Sequence, residues 1–486
     1  MSIQGALSAA LSSLAAEQRQ SMVLANNIAN ANTPGYVRRE MPRAERLVAG
    51  AGSGVETGVL QRAGDAAMAA ASRSADAGEA YAMALREALE AFSGVIGQPA
   101  DARSLSSRLG QFREAMTTLS SAPANAVAQS QALSAAQDLV DALRGMDAAI
   151  STARETADLG VSRDVGAVNT ALESLAEVDR QLALASARGA STAEYEDRRD
   201  VLLAEINGKL PVRVIDNGPG RLLLMTAEGG KTLYDSGTVH KLAFTHSPRI
   251  DANWAPETSS RITVDGQPLA LGGEAGSIAA GLHLRDRTFP GFLDMVDQVA
   301  KQLITAFQEA EGSAGAGKAG LFAKEGSADW NADDLSGPAT GLAAQITVNP
   351  AADPDATPAG DLAKLRTGVS GTEKGAADNS YILLALDKMN EARSYNPGSG
   401  LPGRMSLSQA AAQSVGLMQG ERAIWSDRAE TRGRIALEAR QDLANKTSVN
   451  VDEELQRLML VQQTYSASVQ IIQAASKMLD ELTQIR

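Results

Sequence analysis

Both ends of the chain repeat apolar or small residues at alternating spacings of four and three, the rhythm of a coiled-coil seam. Near the start the repeat runs Ile3, Leu7, Ala10, Leu14, Glu17, Ser21, Leu24 and Ile28; near the end it runs Val451, Leu455, Leu458, Gln462, Tyr465, Val469, Ile472, Ser476 and Leu479. An apolar stripe is buried only when another helix covers it, so the two stripes point to a subunit that assembles through its ends. The expected seam is Ile3, Leu7, Leu14 and Leu24 with Val451, Leu455, Leu458, Tyr465, Val469, Ile472 and Leu479. Only Glu17 and Arg19 ionise between Ser2 and Tyr36, which leaves the first helix little charge to hold it in water. The plainer reading of the same pattern is an amphipathic helix packed on its own domain.

A chain of 486 residues is too long for one core and divides into several domains. Lysine and arginine total 45 against 58 acidic residues, a net charge of -13, which argues against nucleic acid or anionic lipid as partner. The absence of cysteine excludes disulfides, thiolate metal sites and a cysteine nucleophile. No stretch approaches the roughly 20 apolar residues that span a bilayer, so membrane insertion is not expected. No basic residue precedes Arg19, and the first residues run on into the amphipathic helix, so no cleaved signal peptide is expected either.

Helical spacing predicts helices over 80–92 and 104–119, a long pair over 126–159 and 164–187, and another over 197–210. At Pro211 the period changes to two, with turn residues at 216–220, 229–230 and 235–237, which reads as strands joined by hairpins. Residues 261–269 form one more hairpin, and helices return over 291–311, over 379–392 and from 406 to the end. Glycines at 50, 52, 54 and 58 read as an irregular or extended link, and 312–366 as a loop with one strand at 346–348. The expected fold is mainly α with a β insertion: terminal coiled-coil helices, a long helical-bundle domain and a small β-rich outer domain. Residues 1–70 and 445–486 are assigned to the terminal domain; 71–210, 282–325 and 366–444 to the helical domain; 211–281 and 326–365 to the β-rich domain with its loops.

Catalytic patterns are absent or broken. Residues 312–319 copy the spacing of a phosphate-binding loop, but Ala319 stands where a magnesium-binding hydroxyl belongs, and the segment follows a helix rather than a strand. His240, His246 and His283 have no metal-ligand spacing and read as surface or loop residues. Asp452, Glu453 and Glu454 open a predicted helix, where acids meet the positive end of its dipole. No catalytic, cofactor-binding or metal site is predicted.

The first helix closes with Asn26-Asn27-Ile28-Ala29-Asn30-Ala31-Asn32-Thr33-Pro34-Gly35-Tyr36. Pro34 and Gly35 suit positions two and three of a type II turn, and the asparagines suit loose helix-end carbonyls. This segment resembles the N-terminal signature of bacterial flagellar axial proteins of the rod, hook and hook-associated group. Its expected assembly motif is Asn26, Asn27, Ile28, Asn30, Asn32, Thr33, Pro34, Gly35 and Tyr36. The run from Val449 to Leu455, with Gln462 to Ser468, looks like the partner signature at the other end. Rod and hook proteins pass soon into β domains, whereas here a long helical pattern comes first, which is similar to the hook-associated family of the hook–filament junction. The segments Asp197 to Leu203, Ala279 to Asp286 and Asp378 to Ser380 are similar to that family too. The β region is short, so any further outer domain of longer relatives is expected to be missing.

The resemblance implies a structural subunit of the extracellular flagellum, exported through the flagellar type III pathway without a cleaved signal. It implies a ring homo-oligomer built through paired terminal helices on the hook protein, with a second junction protein above it and an export chaperone beforehand. It implies no cofactor. Two alternatives stand beside it: a hook or distal rod protein, which would lack helix over 126–210, and a secreted helical adhesin or effector.

Overall fold

The computed structural model describes residues 3–48, 51–98, 100–251, 254, 261–311, 319–325, 335, 339–372 and 374–484. Its first element, α1 (Ile3–Ala29), is followed by β1 (Arg39–Glu40), β2 (Arg43–Val48), β3 (Ala51–Thr57) and β4 (Gln61–Arg62). Strand β1 pairs with β4, and β2 with β3, all antiparallel. The glycine-rich stretch is therefore a hairpin and not a link. It lies on α1, where the Val55 N–H donates to Ser12 Oγ at 3.0 Å and Gly54, at φ +124°, has no Cβ to strike Ser12.

The helical body begins with α2 (Ala66–Ile96), α3 (Leu105–Ser121), α4 (Ala126–Ala187) and α5 (Ala193–Lys209). Asp65, Ser104 and Asn125 cap the first three, each side chain accepting from first-turn N–H groups. α4 is one helix of 62 residues where a pair was expected. Gly160, at the expected break, costs about 1 kcal/mol relative to alanine. Its neighbours hold the helix straight through: Val161 is buried, and buried Asp158 accepts Arg285 Nη1 at 2.6 Å.

Strands β5 (Val212–Asp216), β6 (Leu222–Thr226), β7 (Thr232–Asp235) and β8 (Thr238–Val239) form an antiparallel meander in chain order. β9 (Leu242–Ala243), β10 (Thr263–Val264) and β11 (Gln267–Pro268) form a second sheet, whose tight turn places Asp265 and Gly266 at φ +50° and +73°. α6 (Ser277–His283) continues through a π-helical turn into α7 (Phe289–Glu311). Then come β12 (Phe322–Lys324), α8 (Leu342–Gln345), β13 (Ile346–Val348), α9 (Lys364–Thr367), α10 (Ser380–Asn390), β14 (Arg393–Ser394), β15 (Arg404–Met405), α11 (Leu407–Thr447) and α12 (Val451–Gln484). Residues 312–318 of the false phosphate loop lie outside the described residues.

Two apolar cores share α4. Its first half packs with α2, α3, α6, α7, α10 and the start of α11. Its second half packs with α5 and the sheets, through Val168 and Leu172 against Leu203, Ile206, Leu224 and Tyr234. Residues 339–365, read from sequence as part of the β-rich domain, instead supply Leu342, Ile346, Val348 and Leu365 to the helical core. The β12–β13 pair explains this, because it sets the Phe322 ring 4.9 Å from Phe307 and 5.3 Å from Phe112.

Asp297 lies fully inside this core on α7 and accepts the N–H groups of Gly341 and Ala343, each at 2.7 Å. Burial pushes its carboxyl up to about 7, helped by Asp147 and Asp294 and opposed by the two N–H donors. A carboxyl that holds its proton more tightly folded than unfolded stabilises fully below about pH 4. That contribution is lost as pH rises through about 7. Urea unfolding should thus show falling stability from pH 5 to pH 8, and Asp297→Asn should flatten that slope; an unchanged slope would remove Asp297 as its source.

Candidate functional site: the clasp of the two chain ends

α1 and α12 pack antiparallel, and three polar contacts fix their register. Ser468 Oγ donates to Ser13 Oγ at 3.3 Å, Thr464 Oγ1 to Glu17 Oε2 at 2.6 Å, and Asn27 Nδ2 to Glu454 Oε2 at 2.9 Å. Each step forward on α1 is matched by a step back on α12. The inner line of α12 is Glu454, Val461, Ser468 and Ala475, a strict spacing of seven, and all four are buried. α1 answers with buried Ala10, Glu17, Leu24 and Asn27. Glu17 is also held by Arg43 Nη1 at 3.2 Å from the hairpin.

The expected seam is only partly this one. Leu24 is buried; Leu7, Leu14, Leu458, Val469 and Ile472 are half-buried; Val451, Leu455, Tyr465 and Leu479 are exposed. Ile3 belongs to α1, and its side chain lies outside the described residues. The contact between the ends thus runs one residue before the bulky apolar line of α12, along smaller and polar side chains.

The N-terminal motif forms the end of the clasp. The Tyr36 N–H donates to the Thr33 carbonyl at 3.1 Å across Pro34 and Gly35, and Gly35 has φ +79°, the marks of the expected type II turn. A Cβ on Gly35 would stand 2.8 Å from Val201 Cγ2 of α5, so the turn also needs glycine for close approach. Asn30 Nδ2 donates to the Asn26 carbonyl at 2.9 Å, and Thr33 Oγ1 to Asn30 Oδ1 at 3.2 Å, closing the helix end. Asn26, Asn32, Thr33 and Pro34 are exposed, while Ile28, Asn30 and Tyr36 are half-buried.

Asn27 is the centre, with only 1% of its surface exposed. Its Nδ2 donates to Glu454 and to the Arg39 carbonyl, both at 2.9 Å, while its Oδ1 accepts Tyr36 Oη at 2.8 Å and the Arg39 N–H at 3.1 Å. The Arg39 guanidinium lies 4.7 Å from the Tyr36 ring centre and reaches Asp197 Oδ2 at 3.2 Å. Arg62 completes the bridge to α5, with Asp197 at 2.8 Å and Asp200 at 2.7 Å. Burial pushes the Asp197 carboxyl up, against the pull of Arg62 and Arg39. At the other edge the Arg38 N–H donates to the Thr447 carbonyl at 2.8 Å, tying the start of β1 to the end of α11.

Sequence reasoning missed Arg39, Arg62 and the inward role of Glu454. Glu454 reads as one of three acids at a helix start, where Asn450 Oδ1 does accept from the Asp452 and Glu453 N–H groups. The available signal was its spacing of seven from Val461. His283 also departs from expectation: it sits half-buried on α6, its Nδ1 2.6 Å from Tyr81 Oη, with burial pushing its imidazole pKa down. Among the described residues no three His, Cys, Asp or Glu side chains converge as a metal set, and no helix is long and apolar enough to cross a membrane.

Residues 90–321 match the family model described as the flagellar hook-associated protein FlgK helical domain. Residues 7–36 match the flagella basal body rod protein model, and residues 444–485 the flagellar basal body rod FlgEFG protein C-terminal model. Flagellar hook-associated protein 1 of Bacillus subtilis is 22% identical over 515 residues, covering 98% of this chain and 97% of that protein. The protein of that name from Escherichia coli is 23% identical over 554 residues, covering 98% and 99%. The solved flagellar hook junction protein FlgK from Burkholderia pseudomallei gives a TM-score of 0.43 at 17% identity, over 52% of this chain and 46% of that one. With rod-type segments at both ends of a helical domain, the chain is a flagellar axial protein. Within that class it is similar over nearly its whole length to the hook-associated protein 1 family.

Asn27→Ala removes four hydrogen bonds and leaves Glu454 buried without its amide, which should weaken the hold of α1 on α12 by about 1–3 kcal/mol. Amide exchange of α1 should speed up while α7 keeps its protection, and Asn26→Ala, at an exposed position, should change neither. Unaltered exchange in the Asn27 variant would show that this amide is not the lock.

Proposed function

We propose that this chain is the non-enzymatic structural subunit of the hook–filament junction and polymerises through its paired terminal helices. The observation that carries this reading is the outer surface of α12. α1 already occupies the inner line, yet Leu455, Met459, Leu460, Ile471, Met478 and Leu479 remain exposed. Apolar side chains in such number along one helix need neighbours. In this reading α1 and α12 line the inner tube, the helical body forms the next layer, and the sheets of β5–β11 face outward. The neighbours are further copies in a ring, hook protein below and a second junction protein above. The subunit leaves the cell by the flagellar export route without a cleaved signal, escorted by a chaperone that covers the exposed stripe. The hook or distal rod alternative is disfavoured because α4 and α5 fill most of 126–210 with helix.

Leu460 and Ile471, 60% and 50% exposed, make a cleaner test than half-buried Leu458 and Ile472. Leu460→Asp or Ile471→Asp should leave the melting temperature of the free subunit within about 1 °C, since exposed changes away from packing are close to neutral. Cells should then build hooks without filaments and release flagellin into the medium. Normal swimming by both variants would refute assembly through this surface.

A further inference from the structure

A cavity of about 340 Å³ lies where α2, the end of α5, β5, β6 and the segment at 271–279 meet. Ala70, Ala77, Leu210, Val212 and Leu271 give it an apolar wall, and Arg73 and Arg213 are its cations. A space of this size with a mostly apolar lining and a few polar groups is the usual form of a small-molecule pocket. Its walls are held by bonds that use neither guanidinium. Asn207 ties α2 to β5, its Nδ2 donating to the Arg73 carbonyl at 2.5 Å and its Oδ1 accepting the Val212 N–H at 3.2 Å. The Gly276 N–H donates to the Ala77 carbonyl at 2.8 Å, and Glu228 Oε2 accepts the Gly272 N–H at 2.6 Å, which fixes the facing segment. The space is thus preformed.

Arg73 is half-buried, and among the described residues its guanidinium makes no hydrogen bond or ion pair. None of its nitrogens is sealed from solvent, so the group is open to an incoming acceptor. Burial pushes its pKa down, opposed by Asp200 and aided by Arg199. The acids around it are already committed: Asp200 is held by Arg62 at 2.7 Å, Asp216 by Arg199 at 2.8 Å, and Glu228 by the Gly272 N–H. Arg213, exposed on β5, has no ion pair among the described residues either. A partly buried guanidinium without an anion is costly, so this pocket calls for negative charge in a chain whose own net charge is -13.

We propose that this cavity binds a small amphipathic monocarboxylate, whose carboxylate pairs with Arg73 and whose aliphatic tail lies on the apolar wall. The planar guanidinium matches a carboxylate through two parallel N–H bonds, and Arg213 adds a second cation. Inorganic phosphate suits the site less well, because the apolar wall offers it few further donors. A short acidic side chain from a neighbouring subunit would leave that wall unfilled. The site stands independently of where the subunit sits in the flagellum.

The test is calorimetric titration of the full chain with octanoate, for which saturable binding is expected. Arg73→Met, which keeps the aliphatic stem and removes the charge, should weaken binding at least tenfold, and Arg73→Lys should recover part of the loss. Circular dichroism checks that both variants keep the helical fold. Ala70→Leu, at an exposed position on the wall, should weaken binding by filling space while both cations stay. On the wild type, inorganic phosphate and 1-octanol should each bind at least tenfold more weakly than octanoate. No binding of octanoate by the wild type, a loss of less than tenfold in a folded Arg73→Met, unchanged binding in Ala70→Leu, or a preference over phosphate or octanol of less than tenfold would each overturn the site.

Discussion

The amide of Asn27 holds the two ends of the chain together, and the remaining architecture is arranged around that meeting. An amide side chain has two N–H donors and an oxygen with two lone pairs, and in Asn27 all four are used. A slip of α12 by one residue would leave a buried carboxylate and a buried amide unpaired, which costs more than apolar side chains gain by sliding. Ser13 with Ser468 and Glu17 with Thr464 repeat the same choice along the pair. Polar contacts set the register here, while the small neighbours Ala10, Ala16 and Ala475 let the backbones come close.

From that meeting two routes lead into the body. Tyr36, Arg39 and Arg62 carry the connection to Asp197 and Asp200 of α5, and so to the core of the sheets. α11 carries it along α2, where Arg440 binds Asp76 at 2.8 Å, and so to the larger helical core. Because α4 runs through both cores, the routes rejoin on one helix about 93 Å long. The clasp therefore fixes the orientation of the ends against the body and not merely against each other.

The fold class, the change of period at Pro211 and the type II turn at Pro34-Gly35 were legible in the sequence, because each depends on neighbours a few residues away. Half of the coiled-coil seam was legible too. Ala10, Glu17 and Leu24 lie on the contact as their spacing implies, but counting bulky apolar residues on α12 picks out Leu455 and Leu479, which point elsewhere. The true inner line contains a glutamate and a serine whose partners are remote in sequence, so only its spacing of seven hints at it. The same limit hid the hairpin over α1, whose glycines serve close packing against Ser12, and the continuity of α4 past Gly160, which depends on Arg285. It also placed 339–365 with the sheets, since the aromatic contacts of Phe322 that draw this stretch inward appear only after folding.

Glu454 and Asn27 are separated by 427 residues. A ribosome adding about 5–20 residues per second needs tens of seconds to cover that distance. The first helix made is thus the last to find its mate, and for the whole of that interval an almost uncharged helix stays single while everything between is synthesised. Its apolar stripe, with only Glu17 and Arg19 as charges nearby, has to be kept from other partners until that meeting.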